Sequence, residues 1–264
     1  MRACIVYIEM EMVNMTTVYK SFGLTDIGQH REENQDAFSI DEDIGIYLVA
    51  DGLGGLDFGR ETSEYAVKHL YLFIKAGLED LTEKDEKSIS ELLESAIYDT
   101  DEGIRRRLGD NSATTIVVVL IQKDKIYITH VGDSRAYLFM EGKLHGITED
   151  HNIANQYVRK GLLTKEEARS HPTQSMLTNS VGIMNETEDG ITITILKPEN
   201  NMRILMCSDG LTGMLSELEI GNLLTIEPSS EIAVKKLING ANHSGGLDNI
   251  TAVVIDVMVS EDGC

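Results

Sequence analysis

Positive charge is what this sequence has least of. Its 23 Lys and Arg residues face 44 Asp and Glu, for a formal net charge of −21. A surface of that sign repels nucleic-acid backbones and anionic membranes, so neither is expected as a partner. Proline is down to 3 residues in 264. No low-complexity segment, internal repeat or linker-like stretch interrupts the chain, which excludes a solenoid and favours one domain. Cys4, Cys207 and Cys264 form no even, closely spaced set. That excludes a disulfide framework and fits a reducing, cytoplasmic compartment. Cys207 lies in an apolar run and reads as a small buried hydrophobe. No Cys/His spacing suits structural zinc. No apolar run approaches the ~18 residues of a membrane span. The Met-rich stretch 1–15 is no secretory signal, because Glu9 and Glu11 break it. It is expected as a mobile extension ahead of a single domain, 16–260. Nucleophile motifs are missing too, with neither Gly-x-Ser-x-Gly nor Cys-x5-Arg present.

What the sequence does have is material for a core, with 42% hydrophobic residues. Apolar runs predict strands over 18–25, 36–40, 45–50, 125–131, 135–140, 191–195, 203–208 and 250–257. The β-branched run over 113–121 predicts a strand buried on both faces. Ala66, Val67, Leu70, Phe73 and Ile74 share one helical face. Ile89, Leu92, Leu93, Ala96, Ile97, Ile104 and Leu108 share another, so two amphipathic helices should lie together on one side of a sheet. Ser88 with Glu91, Thr164 with Glu167, and Ser216 with Glu219 are spaced as capping boxes. Further helices are predicted near 152–160, 216–225 and 230–240. The polar, weakly patterned stretch 161–190 predicts a mobile surface flap. Short turns between strands favour antiparallel pairing. The expected class is α+β, a four-layer α/β/β/α sandwich of two mostly antiparallel sheets flanked by helix pairs.

Aspartates recur at the strand ends. Asp51-Gly52 and Asp209-Gly210 each close an apolar run, Asp248 opens one, and Asp36 and Asp133 sit at further strand boundaries. Asp-Gly is also a common turn pair, so a single copy carries little. Repetition makes the difference. A carboxylate at the tip of a strand, with glycine leaving room beside it, is a way to place a hard-metal ligand, and oxygen-only sets suit Mg2+ or Mn2+. So many like charges gathered at one place would repel without cations between them. Two ions ~3.5–4 Å apart can hold a bridging water, lower its pKa and neutralise a phosphoryl transition state. Such chemistry needs no serine or cysteine nucleophile.

Several segments carry a family resemblance. Thr25-Asp26-Ile27-Gly28-Gln29-His30-Arg31-Glu32-Glu33-Asn34-Gln35-Asp36, Val49-Ala50-Asp51-Gly52-Leu53-Gly54-Gly55 and Val131-Gly132-Asp133-Ser134-Arg135-Ala136 are three of them. Cys207-Ser208-Asp209-Gly210-Leu211 and Leu247-Asp248-Asn249-Ile250-Thr251 complete the set. In this order they resemble the motifs of bacterial PP2C-type (PPM) serine/threonine protein phosphatases. Thr148-Glu149-Asp150-His151, Glu166-Glu167-Ala168, His171-Pro172 and Leu177-Thr178 extend the match from about residue 20 to 257.

The resemblance implies hydrolysis of phosphoserine and phosphothreonine in proteins, with two core Mg2+ or Mn2+ ions and a third, weaker one. Asp51 would bridge the two core metals, with the Gly52 carbonyl on the second. Asp209 and Asp248 would complete the first. Asp36 would hold metal-bound water, Asp133 would support the third ion, and Arg31 would take the substrate phosphate. Asn249 is expected as a local turn partner of Asp248, and His151 and His171 as structural. Three positions depart from the family pattern. Gln35 replaces a frequent Glu, Leu53 a His proposed as general acid in animal members, and Leu56 a His after the double glycine. By analogy the physiological counterparts would be a Ser/Thr kinase and its targets, and a monomer is expected. Two other readings are open: a pseudophosphatase that binds phosphoprotein without hydrolysing it, and a switch phosphatase acting on an anti-sigma antagonist.

Overall fold

The structure is a computed structural model that describes residues 15–53, 58–184 and 189–261. The expectations for Gly54, Gly55 and Leu56, and all but Met15 of those for 1–15, lie outside these residues. The chain begins with β1 (Met15–Asp26), β2 (Asp36–Asp41) and β3 (Ile46–Asp51), then two long helices, α1 (Gly59–Asp80) and α2 (Glu86–Leu108). Strands β4 (Ile116–Gln122), β5 (Lys125–Val131), β6 (Arg135–Met140) and β7 (Lys143–Gly146) follow. Two short helices come next, α3 (Ile153–Arg159) and α4 (Lys165–Arg169), then β8 (Thr192–Leu196) and β9 (Met202–Cys207). Helices α5 (Asp209–Thr212), α6 (Glu217–Ile226) and α7 (Ser230–His243) lead to β10 (Ile250–Glu261).

The strands form two five-stranded sheets, ordered β1-β10-β9-β6-β7 and β2-β3-β4-β5-β8. Each neighbouring pair is antiparallel. Side-chain alternation explains why β4 reads as unbroken hydrophobe. Ile116, Val118 and Leu120 pack under α1 and α2, while Val117, Val119 and Ile121 point into the core between the sheets. In the other sheet, Leu205 and Cys207 of β9 face the helices α5 to α7, and Ile204 and Met206 face the inter-sheet core. The result is the α/β/β/α sandwich.

Three elements differ from expectation. Helix α2 is capped not by Ser88 but by Asp85, whose side chain accepts from the Ser88 backbone N–H. An aspartate is as good an N-cap as a serine, and it starts the helix early enough to add another turn. Strand β7 is four residues long and largely exposed, so it carries no apolar alternation to detect. Asp209-Gly210 opens the single-turn helix α5 rather than a reverse turn. The capping boxes of α4 and α6, at Thr164 with Glu167 and Ser216 with Glu219, form as expected.

Candidate active site

Strand register brings the first two carboxylates together. Asp36 at the start of β2 lies directly opposite Asp51 at the end of β3. Like charges in that position destabilise a sheet unless something offsets them. The second sheet supplies part of the compensation. Ser208 Oγ and Thr251 Oγ1, at the ends of β9 and β10, donate to Asp36 Oδ2 at 2.8 and 2.6 Å. Asp36 is thus the polar rivet between the sheets. Thr25 Oγ1 stands 2.7 Å from Thr251 Oγ1 and accepts from Asn34 Nδ2 at 2.9 Å. Thr114 and Thr115 hold Asp51 by its backbone: the Asp51 N–H donates to Thr115 Oγ1 (3.0 Å), and Thr114 Oγ1 donates to the Asp51 carbonyl (2.8 Å).

Asp209 enters on the first turn of α5, next to the Ser208 that rivets Asp36. Asp51, Asp36 and Asp209 lie within mutual reach, Asp133 adds its charge to Asp51 and Asp209, and Asp248 adds its charge to Asp209. Burial first, and neighbouring carboxylate charge second, push Asp51, Asp133 and Asp209 above the usual carboxylate range. Burial pushes Asp36 up to about 7, against the pull of its hydroxyl donors. Two oxygens, Asp36 Oδ1 and Asp209 Oδ1, are buried with no hydrogen-bond partner.

Among the described residues no three acidic, His or Cys side chains form a ready-made shell for an ion. Loading an ion therefore requires the side chains to adjust. The donor chemistry nevertheless fits a hard divalent cation: all-oxygen, crowded with like charge, and with unsatisfied buried acceptors.

Asp248 and Asn249 sit just before β10 and are fixed from both sides. The Asn249 N–H donates to Asp248 Oδ1 at 2.8 Å. The Asn249 side chain does more than the local turn role expected of it. Its Nδ2 donates to the Ile27 and Glu33 carbonyls (3.0 and 2.9 Å), and its Oδ1 accepts from the Gln35 N–H (2.8 Å). It staples the 27–35 loop, and with it Arg31, to the end of β10. Arg31 Nη2 donates to Asp248 Oδ2 at 2.7 Å, and the Arg31 side chain is 42% exposed. The Gly52 N–H donates to the Gln35 carbonyl (3.0 Å), so the β3 tip and the Arg31 loop are one connected unit. Gln35 turns its amide toward Gly59 at the start of α1.

Arg135 forks onto Asp150, both contacts at 2.7 Å, and fixes the link that carries Asp133. His151 is buried against His130, with ring centroids 4.4 Å apart, and burial lowers it to about 4. It is a neutral packing group that accepts from the Gly132 N–H. Ser208, Thr251, Thr115 and the Asn249 side chain were not singled out by sequence as holders of the site. Only register, which sets Ser208 and Thr251 beside Asp36, reveals them.

A family model described as protein phosphatase 2C matches residues 28–240. The chain belongs to the PP2C family. Among relatives of this PP2C protein is the serine/threonine phosphatase stp of Listeria welshimeri, 31% identical over 243 residues, covering 90% of this chain and 94% of stp. A crystal structure of the PPM Ser-Thr phosphatase MsPP from Mycobacterium smegmatis, in complex with cacodylate, superposes with a TM-score of 0.77 at 32% identity. It covers 90% of this chain and 97% of MsPP. The catalytic domain of PstP, solved with 2 manganese ions, superposes with a TM-score of 0.76 at 27% identity, covering 92% and 100% of the two chains. This PP2C protein is a protein-serine/threonine phosphatase, and its substrates are phosphoproteins. The family is metal-dependent.

Proposed function

We propose that phosphoserine and phosphothreonine are hydrolysed at the strand-end carboxylates, with two Mn2+ or Mg2+ ions as cofactor. The observation that carries this reading is the pair of buried, partnerless oxygens on Asp36 and Asp209, inside a cluster whose charges need protons or cations beside them. Asp51, the Gly52 carbonyl, Asp209 and Asp248 would hold the two core ions, Asp36 would act through water, and Asp133 would serve a third, weaker ion. When bound, the ions supply Lewis acidity, neutralising phosphoryl oxygens and acidifying the attacking water.

The chain's own residues do the rest. Arg31 is anchored at one nitrogen by Asp248 and exposed enough to offer its other donors to the substrate phosphate. The Asn249 staple holds that loop against the β10 end, so phosphate and carboxylates keep a fixed relation. Asp36, gripped by two hydroxyls, cannot swing away. Cys207 is buried, and burial pushes its thiol up to about 12, so it is no nucleophile.

The kinase counterpart, a cytoplasmic monomer and a catalytic domain over 16–260 belong to the same proposal, with the expected extension corrected at Met15, which pairs into β1. What stands behind them is the acidic composition and the lack of a disulfide framework in the sequence, together with the family analogy. Among the described residues no helix is long and apolar enough to cross a membrane. Sedimentation at micromolar concentration tests the monomer. The central test is turnover of a phosphothreonine peptide. It should require Mn2+ or Mg2+ and fall by at least about 100-fold in Asp51→Asn and Asp209→Ala, since even outer groups around a metal are worth about 10–100-fold. Well-folded protein that turns over no phosphopeptide with either ion would overturn the reading.

A further inference from the structure

A cleft of about 610 Å³ contains Asp133 and Asp209 in its lining and continues between the flap helix α4 and the start of α6. That volume is in the range that encloses a whole small ligand, and is more than a phosphoryl group needs. A phosphoresidue seated at the carboxylates therefore leaves room beside it for neighbouring residues of its own chain.

The charges along this cleft are unevenly committed. Arg135 is used up by its fork to Asp150. Lys165 and Arg169 also line the cleft, and they stand at i and i+4 on α4, so they project from one face of the helix. Lys165 has no acidic partner among the described residues. Arg169 Nη2 meets Glu217 Oε1 at 2.7 Å across the cleft, with the two side chains 44% and 48% exposed. A half-exposed pair of this kind is weak and exchangeable. The lining also carries five carboxylates: Asp133 and Asp209 at the proposed metal end, Asp150 held by Arg135, Glu217 held by Arg169, and Glu149. On the α4 wall that leaves Lys165, and Arg169 through its exchangeable pair, as the cations a substrate carboxylate can reach.

We propose that Lys165 and Arg169 are specificity-determining residues that read a carboxylate side chain close to the phosphoserine or phosphothreonine of the substrate. Glu217 is the internal stand-in that this carboxylate displaces from Arg169. The proposal rests on the phosphatase reading above and adds the class of phosphoprotein favoured.

The test uses two phosphothreonine peptides, identical except for Glu or Lys at the positions flanking the phosphoresidue, assayed with the full chain and saturating Mn2+. The wild type should prefer the Glu peptide in kcat/KM by about fivefold or more, the upper range for one exposed ion pair. The preference should reside in KM rather than kcat. The double variant Lys165→Glu/Arg169→Glu should reverse it, and Glu217→Gln, which frees Arg169, should strengthen it. If the charge reversal unfolds α4, Lys165→Met/Arg169→Met should erase the preference without reversing it. Equal use of both peptides by the wild type, or a preference that survives charge reversal, would overturn the proposal. Failure to hydrolyse either peptide would overturn the phosphatase reading and this proposal with it.

Discussion

At the residue scale the site depends on two glycines as much as on its aspartates. Gly28 has φ +80, and a Cβ there would come within 2.2 Å of the Asp248 carbonyl. On the other side, a Cβ on Gly210 would come within 1.9 Å of the Asn249 carbonyl. The Asp248-Asn249 backbone is held in a vice whose jaws tolerate no side chain. Gly210→Ala should therefore push Asp248 out of place, costing about 1–3 kcal/mol of stability as overpacking does. It should also lower Mn2+ affinity; calorimetric Mn2+ titration alongside a thermal melt checks both effects. The aspartates were legible in the sequence because strand, Asp and Gly in succession is a local pattern. Their holders were not. Ser208 and Thr251 are ordinary residues until folding sets them beside the Asp36 carboxylate, and Thr115 and Asn249 until it sets them beside the backbone of Asp51 and of the 27–35 loop.

At the element scale the flap is pinned by one buried group. Asp189 accepts hydrogen bonds from Thr178, Arg159 and Gln156, and its carbonyl accepts from Asn179 Nδ2. Burial opposes its charge, yet these donors hold its carboxyl below the usual carboxylate range. Asp189→Asn leaves the partly exposed Arg159 without that counter-charge, at a cost of about 1.5–3 kcal/mol, the range for hydrogen bonds to a charged group. The loss should fall on the flap. Hydrogen exchange should accelerate over α3 and the residues around Thr178, while protection in β4 stays unchanged. A depressed folded-state pKa contributes stability that is present above the unfolded value and lost as pH falls through the folded one. The flap should therefore loosen first in acid.

Strand β5 was readable to the residue, whereas β4, expected over 113–121, runs from Ile116 to Gln122 because Thr114 bridges to Gly52 and Val181 instead. Strand β1 runs on to Met15 because β10 offers partners as far as Glu261, a signal that lies in another part of the chain. Strand β7 and helix α5 are four residues each, too short for any period to show.

At the scale of the whole molecule, negative charge and metal binding are linked. Asp36 titrates at about 7 in the folded protein, against about 4 for an unperturbed aspartate. A raised folded-state pKa means that the native state binds more protons than the unfolded chain between those values. Native stability contributed by this group is present at low pH and lost as pH rises toward 7. Divalent ions compete with the same protons. The difference in Tm between Mn2+-loaded and EDTA-treated protein should therefore widen as pH rises from about 4 to about 7. Thermal melts at matched ionic strength check this, and a gap that stays constant across that window would count against the carboxylates as the metal site.

The pairing of β1 with β10 reaches Met15 opposite Glu261. Residues that close the two ends of the described fold are cross-strand neighbours, about 5 Å apart in the manner of any antiparallel pair. The described backbone thus begins and ends at neighbouring points, and joining them would make a ring. A short linker joining residues 261 and 15 would let the ring be cut instead at Glu141-Gly142, between β6 and β7 and at the opposite end of β6 from Asp133. Every strand of both sheets would be kept, in a new chain order around the same carboxylates.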